Sequence, residues 1–226
     1  MFKPTPQARR SRSRGIFLSS ALVLTIFFLF KRFPSRAYVE YNYVATPIRP
    51  ERFPVSSTIH LPNGTPTKLP KIQHQPVIEN IEERALRLSR LEDVRTTFLH
   101  AWNGYKAEAW GEDELRPIAG GFKTTLCGWA ATLVDNLDTL WIMGLFDEFE
   151  LALKELENVD FTNKVGCQVN LFETTIRHLG GLLSAFDISG GEREILVQKA
   201  VEVAEVLFTA FDTPNRMPNA HYTWSA

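Results

Sequence analysis

The sequence predicts an all-α domain of paired helices, carried behind a membrane anchor and an extended stem. Three observations lead there. Residues 15–30 run without a charge between basic flanks, residues 33–76 hold eight of the thirteen prolines, and from residue 78 onward apolar side chains recur at spacings of three and four. That last spacing places one apolar stripe along a helix, and no segment shows convincing strand alternation. The net charge of −1 over 226 residues gives no reason to expect a nucleic-acid partner, which normally calls for a basic excess.

Residues 1–14 carry Lys3, Arg9, Arg10, Arg12 and Arg14 and no acid, and read as a cytosolic tail. Residues 15–32 read as a transmembrane signal anchor. The charge-free part, GIFLSSALVLTIFFLF, spans about 24 Å as a helix, and Arg14, Lys31 and Arg32 can snorkel to cover the rest of a thin bilayer. A cleaved signal peptide is the other reading, but the apolar run ends in bases rather than in small residues. The expected arrangement is single-pass type II in the endoplasmic reticulum or Golgi membrane, with everything after residue 32 luminal. Residues 33–77 form the stem, because proline fixes φ and removes backbone donors, leaving an extended chain. Asn63-Gly64-Thr65 on this stem is a glycosylation acceptor if the stem is luminal.

Residues 78–226 form the helical domain. Leu91, Val94, Phe98, Trp102, Tyr105 and Ala109 make the first stripe, which Pro117 and Gly120-Gly121 interrupt. Residues 129–145 (WAATLVDNLDTLWIMGL) are apolar nearly all round and predict one buried helix. Asp147 with Glu150 is expected to cap the next, which carries Phe149, Leu153 and Leu156. A fourth helix opens at Asn170 and ends at Gly190-Gly191, and a fifth carries Leu196, Ala200, Ala204, Leu207 and Phe211. Short connections between consecutive helices suggest antiparallel pairs. Cys127 and Cys167 are too few for a disulfide scaffold or a zinc site. They could pair in an oxidising compartment, but two buried free thiols acting as small hydrophobes are the favoured expectation.

Two places put acids where packing alone would prefer apolar side chains. Asp135 and Asp138 are three apart and share a helix face. They either lie on a solvated strip, accept structural hydrogen bonds, or line a cavity, since burying an unpaired carboxylate is costly. In the second, Asn170 and Glu173 have the spacing of a capping box, and Arg177 follows Glu173 at i+4. Such a helical ion pair contributes about 0.3–0.5 kcal/mol. The bland reading of Glu173 is therefore a cap; the sharper one is a carboxyl held beside a cation for general-acid work.

Four segments bear on that choice: residues 101–105 (AWNGY), 110–117 (WGEDELRP), 132–143 (TLVDNLDTLWIM) and 170–186 (NLFETTIRHLGGLLSAF). Their order and spacing resemble the class I α-1,2-mannosidases, glycoside hydrolase family 47, over about residues 84–218. The resemblance implies a barrel of seven helix pairs around a central cavity, of which this chain holds the first pairs, an incomplete αα-barrel. It implies calcium-dependent, inverting hydrolysis of terminal α-1,2-linked mannose from the high-mannose N-glycans of glycoproteins, in N-glycan processing or quality control. By motif, Glu173 matches the general acid, Arg177 the arginine beside it, and Asp135 an acid needed in the active site, with Asp138 next to it. Asp113 and Glu114 fall near the cavity mouth, while Glu112 stands where the family often has histidine. An inverting glycosidase needs a protonated and an ionised carboxyl about 6.5–9.5 Å apart. The resemblance places the other catalytic carboxylates and the calcium-binding threonine beyond Ala226, so no metal ligand is expected within the chain. The chain as it stands is expected to be an incomplete, inactive fragment. A non-catalytic protein holding mannose-rich glycans in the half-cavity is the alternative.

Overall fold

The computed structural model describes residues 50–57, 59–60, 63–65, 67–68, 70, 72, 75–162 and 166–224. The chain divides into two units, residues 1–43 and 44–226, and the first lies outside the described residues together with the predicted tail and anchor. No helix among the described residues is long and apolar enough to cross a membrane. In the second unit, residues 51–53 are fastened to the loop after the last helix. The backbone amides of Arg52 and Phe53 donate to the Asp212 carboxylate at 2.9 Å, and Arg216 pairs with Glu51 at 3.0 Å.

Helix α1 (Ile81–Glu108) starts on a full capping box: Asn80 Oδ1 accepts from the Glu83 amide at 2.9 Å, and Glu83 Oε2 accepts from the Asn80 amide at 3.0 Å. It begins ten residues ahead of the apolar stripe, whose first members, Leu91 and Val94, are exposed, while Trp102 and Tyr105 are buried. A short ribbon follows, β1 (Glu114–Leu115) against β2 (Phe122–Lys123). Its turn needs left-handed backbone at Gly120 (φ 74°) and Gly121 (φ 71°), which glycine adopts without steric cost.

The single buried helix expected over residues 129–145 is two. α2 (Ala131–Asp135) and α3 (Leu137–Ile142) are separated at Asn136, whose side-chain amide donates to the Thr132 carbonyl at 2.6 Å and competes with the helical ladder. The expected cap of the next helix is also different. α4 (Phe146–Leu156) starts after Leu145 with no side-chain cap, Asp147 lies in its first turn, and Glu150 instead pairs with Arg193 at 2.6 Å.

Strand β3 (Gln168–Asn170) leads straight into α5 (Leu171–Thr174), a π-helical segment (Thr175–Leu179) and α6 (Gly180–Ile188). Gly190 and Gly191 end that run, as expected, and both have positive φ. α7 (Glu194–Phe208) continues into a 3₁₀ turn (Thr209–Phe211), and β4 (His221–Thr223) returns to pair antiparallel with β3. The two ribbons are strands the sequence does not announce, because two- and three-residue strands are too short to show alternation. The architecture is otherwise helical. Its core joins Trp102, Trp129, Leu133, Phe149, Leu182 and Trp224, among others.

Cys127 and Cys167 are bonded as a disulfide with Cα atoms 5.6 Å apart, inside the range a bridge requires. The expectation of two free thiols fails. Forty residues separate them, and only the fold brings β3 alongside the loop that precedes α2.

Candidate active site

The π-helical segment brings three of the predicted residues together. Arg177 sits within it and donates Nε to Glu173 Oε2 at 2.7 Å and Nη1 to Asp135 Oδ2 at 2.9 Å. One guanidinium thus holds carboxylates from two helices, a geometry suited to its planar fork of donors. All three side chains remain about a third to two-fifths exposed, so the cluster faces outward from the core. Burial pushes the Asp135 carboxyl up from its ordinary range. The Arg177 hydrogen bond and charge oppose this, and the neighbouring Asp138 and Glu173 charges add to it. The hydrogen bonds to Glu173 and then Asp135 raise Arg177 further above its already high value.

Glu173 is half a cap. Its backbone amide donates to Asn170 Oδ1 at 3.1 Å, but its carboxylate turns to Arg177 rather than back to the start of the helix. Asn170 is in turn held by its own strand, and its side-chain nitrogen lies 3.0 Å from His221 Nε2 on β4. Asp138, one turn beyond Asp135, accepts from Ser184 Oγ of α6 at 2.8 Å. That bond ties α3 to α6, and the sequence alone does not identify Ser184 as a partner.

Asp113 and Glu114 are not hydrogen-bonded to this trio. Asp113 is fully buried, and its carboxylate accepts from the backbone amides of Leu126 (2.7 Å), Gly128 (2.8 Å) and Ala131 (3.2 Å). A carboxylate so occupied organises the loop before α2 and presents nothing to a sugar. Glu114 faces Lys123 across the ribbon at 3.7 Å. Asn63 is exposed. Among the described residues, no three His, Cys, Asp or Glu side chains are grouped to hold a metal ion.

His178, next to Arg177, is the site residue that sequence reasoning passed over. It is fully buried, its Nε2 lies 3.2 Å from the Trp129 carbonyl, and its ring packs edge-on against Trp129 and Phe161. Burial pulls its pKa down to about 4. The free imidazole titrates near 6.5, so between those values the unfolded chain binds more protons than the folded one. The stability contributed by the neutral ring is therefore complete above about pH 6.5 and is lost as pH falls toward 4, a change of about 3 kcal/mol. Urea unfolding at pH 7.5 and 4.5 should show a loss that is smaller in His178→Gln; an equal loss in both proteins would refute the assignment.

Comparisons with known proteins agree on one family. A sequence profile described as Glycosyl hydrolase family 47 matches residues 97–226. The chain is 48% identical over 130 residues to an endoplasmic reticulum mannosyl-oligosaccharide 1,2-alpha-mannosidase of Rattus norvegicus, covering 57% of this chain and 19% of that protein. It is 40% identical over 164 residues to the human protein of the same name, covering 72% and 22%. Among solved structures, the alpha-1,2-mannosidase from Trichoderma reesei aligns with a TM-score of 0.57 at 31% identity, over 60% of this chain and 30% of that one. The chain spans about a fifth of the length of the curated relatives it matches.

Proposed function

The chain belongs to glycosyl hydrolase family 47, and we propose that it supplies one wall of the substrate cavity of an α-1,2-mannosidase. The reaction is inverting hydrolysis of terminal α-1,2-linked mannose from high-mannose N-glycans. The observation that carries this reading is the Arg177 bridge between Glu173 and Asp135, which lies within the matched residues. Glu173 serves as the general acid that protonates the leaving oxygen, and Arg177 orients it. Asp135 shares that guanidinium, and Asp138 extends the acidic strip. An inverting mechanism needs a second carboxyl to activate water from the opposite side of the sugar. In this reading that base, and the ligand for calcium, come from parts of the family's fold that this chain does not span. Relatives named for the endoplasmic reticulum support a secretory-pathway location. The membrane anchor over residues 15–32, the luminal orientation and glycan attachment at Asn63 belong to the same proposal.

The test is an assay of the complete reading frame that contains this chain. With calcium, it should release mannose from mannose-α-1,2-mannose as the inverted anomer and leave α-1,3 and α-1,6 linkages intact. Release with retained configuration, or without linkage preference, would refute the reading. Glycan binding without release by the complete protein would favour the non-catalytic alternative.

A further inference from the structure

We infer that His178 is a positioning residue, whose hydrogen bond to the Trp129 carbonyl holds the π-helical turn in the register that lets Arg177 bridge Glu173 and Asp135. The inference rests on the proposed function only in treating that trio as the active site.

The run from Leu171 to Ile188 is one continuous helical path with a wider turn inside it, where the Gly180 amide is directed to the Thr175 carbonyl five residues back. A π turn is rare, occurs as a single wider turn inside an α-helix and is frequent at functional sites, so the contacts that hold it here bear on the trio. Two contacts with α2 and its approach hold it. At Gly181 a Cβ would lie 3.1 Å from the Val134 carbonyl and 3.3 Å from Val134 Cγ1, so the two helices touch almost backbone to backbone. At His178 the contact is polar. The Trp129 carbonyl is an acceptor, so it selects the tautomer with the proton on Nε2.

Neighbouring side chains make this anchor rigid. Trp129 is buried against both Phe161 and the imidazole, and the residues around it are held in left-handed backbone at Cys127 (φ 64°), Gly128 (φ 67°) and Ala130 (φ 54°). Asp113 and the Cys127–Cys167 disulfide fix that loop from the other side. His178 Nδ1 has no hydrogen-bond partner among the described residues, so the Trp129 carbonyl is the imidazole's single polar tie. An apolar residue would fill this pocket without that burden; the polar ring is explained by the carbonyl it satisfies. Arg177 leaves the helix one residue earlier and reaches the last residue of the same α2. The two ends of α2 are therefore gripped by adjacent side chains, His178 at its approach and Arg177 at Asp135.

The experiment reads the trio directly, without activity. In the full chain, carboxyl carbon NMR follows the titration of Asp135. Arg177 opposes the upward pull of burial on that carboxyl, so moving Arg177 away should raise its midpoint. His178→Leu, which keeps bulk and removes the donor, should raise the Asp135 midpoint by about one unit, a tenfold change in proton affinity. His178→Gln retains a donor at the ε position and should restore most of the shift. An unchanged midpoint in a folded Leu variant, or equal shifts with Leu and Gln, would overturn the inference. Should the Leu variant not fold, imidazole nitrogen NMR of the unsubstituted chain decides. A neutral ring protonated on Nε2 supports the inference, and one protonated on Nδ1 overturns it. Mannose release plays no part in this readout, so it can fail while the glycosidase reading stands, and the reverse.

Discussion

Glu173→Gln is expected to lower mannose release by the complete enzyme about a hundredfold or more, while the protein still folds. The magnitude is that of removing a general acid from a reaction whose leaving group must be protonated. The fold is expected to survive because the structural duties of this position do not need the acid. Its helix-start bond is made by the backbone amide to Asn170 Oδ1, which any side chain leaves in place. Its bond to Arg177 needs only an acceptor, and the amide oxygen of glutamine provides one. What glutamine cannot do is give up a proton to a glycosidic oxygen. Far-ultraviolet circular dichroism and the urea midpoint should therefore stay near those of the unsubstituted enzyme. Activity retained within about threefold, well short of the loss expected for a general acid, would reduce Glu173 to a cap and ion-pair partner.

Asp135 is the informative comparison. Burial pushes its carboxyl up, whereas Glu173 receives the closer of the two Arg177 contacts. The two acids reach one cation from two different helices.

The helical class and the Glu173–Arg177 pair were legible because both rest on short-range spacing. Glu173 and Arg177 are i and i+4 on one helix, and the ion pair that spacing predicts is present at 2.7 Å. Asp135 joined them through resemblance, since 42 residues separate it from Arg177 and no local pattern reports such a contact. Other features needed the fold itself. The Cys127–Cys167 pairing depends on β3 running beside a loop that is distant in sequence. The break at Asn136 is a side chain competing with its own helix, inside a run whose apolarity argued for continuity. For Asp113 the resemblance suggested only a place near the cavity mouth; that both of its oxygens accept from backbone amides is visible in the fold alone. His178 escaped notice for a different reason. A histidine amid apolar residues reads as ordinary core, and only the Trp129 carbonyl and the π turn give it a further role.

Asp113→Ala is expected to destabilise the chain by about 3 kcal/mol or more, the largest stability effect of a single substitution among these residues. The substitution strands the amides of Leu126, Gly128 and Ala131. A buried donor without a partner costs about 1–3 kcal/mol each, and relaxation or water entry recovers part of the sum. The loop cannot relax freely, because Cys127 and Ala130 hold left-handed backbone that is unfavourable for residues with a Cβ and persists only where neighbours enforce it. Asp113→Asn separates the contributions. Its single carbonyl oxygen can replace Oδ2 and keep Leu126 and Gly128, but its amide then points a donor at the Ala131 donor. The Asn variant should therefore lose less stability than the Ala variant, yet measurably more than nothing. Urea denaturation of all three proteins gives the order. An Ala variant within about 0.5 kcal/mol of the unsubstituted chain, the range of an ordinary surface change, would show that the loop is held without Asp113. The disulfide to Cys167 and the packing of Trp129 would then be its fastening to β3 and the π turn.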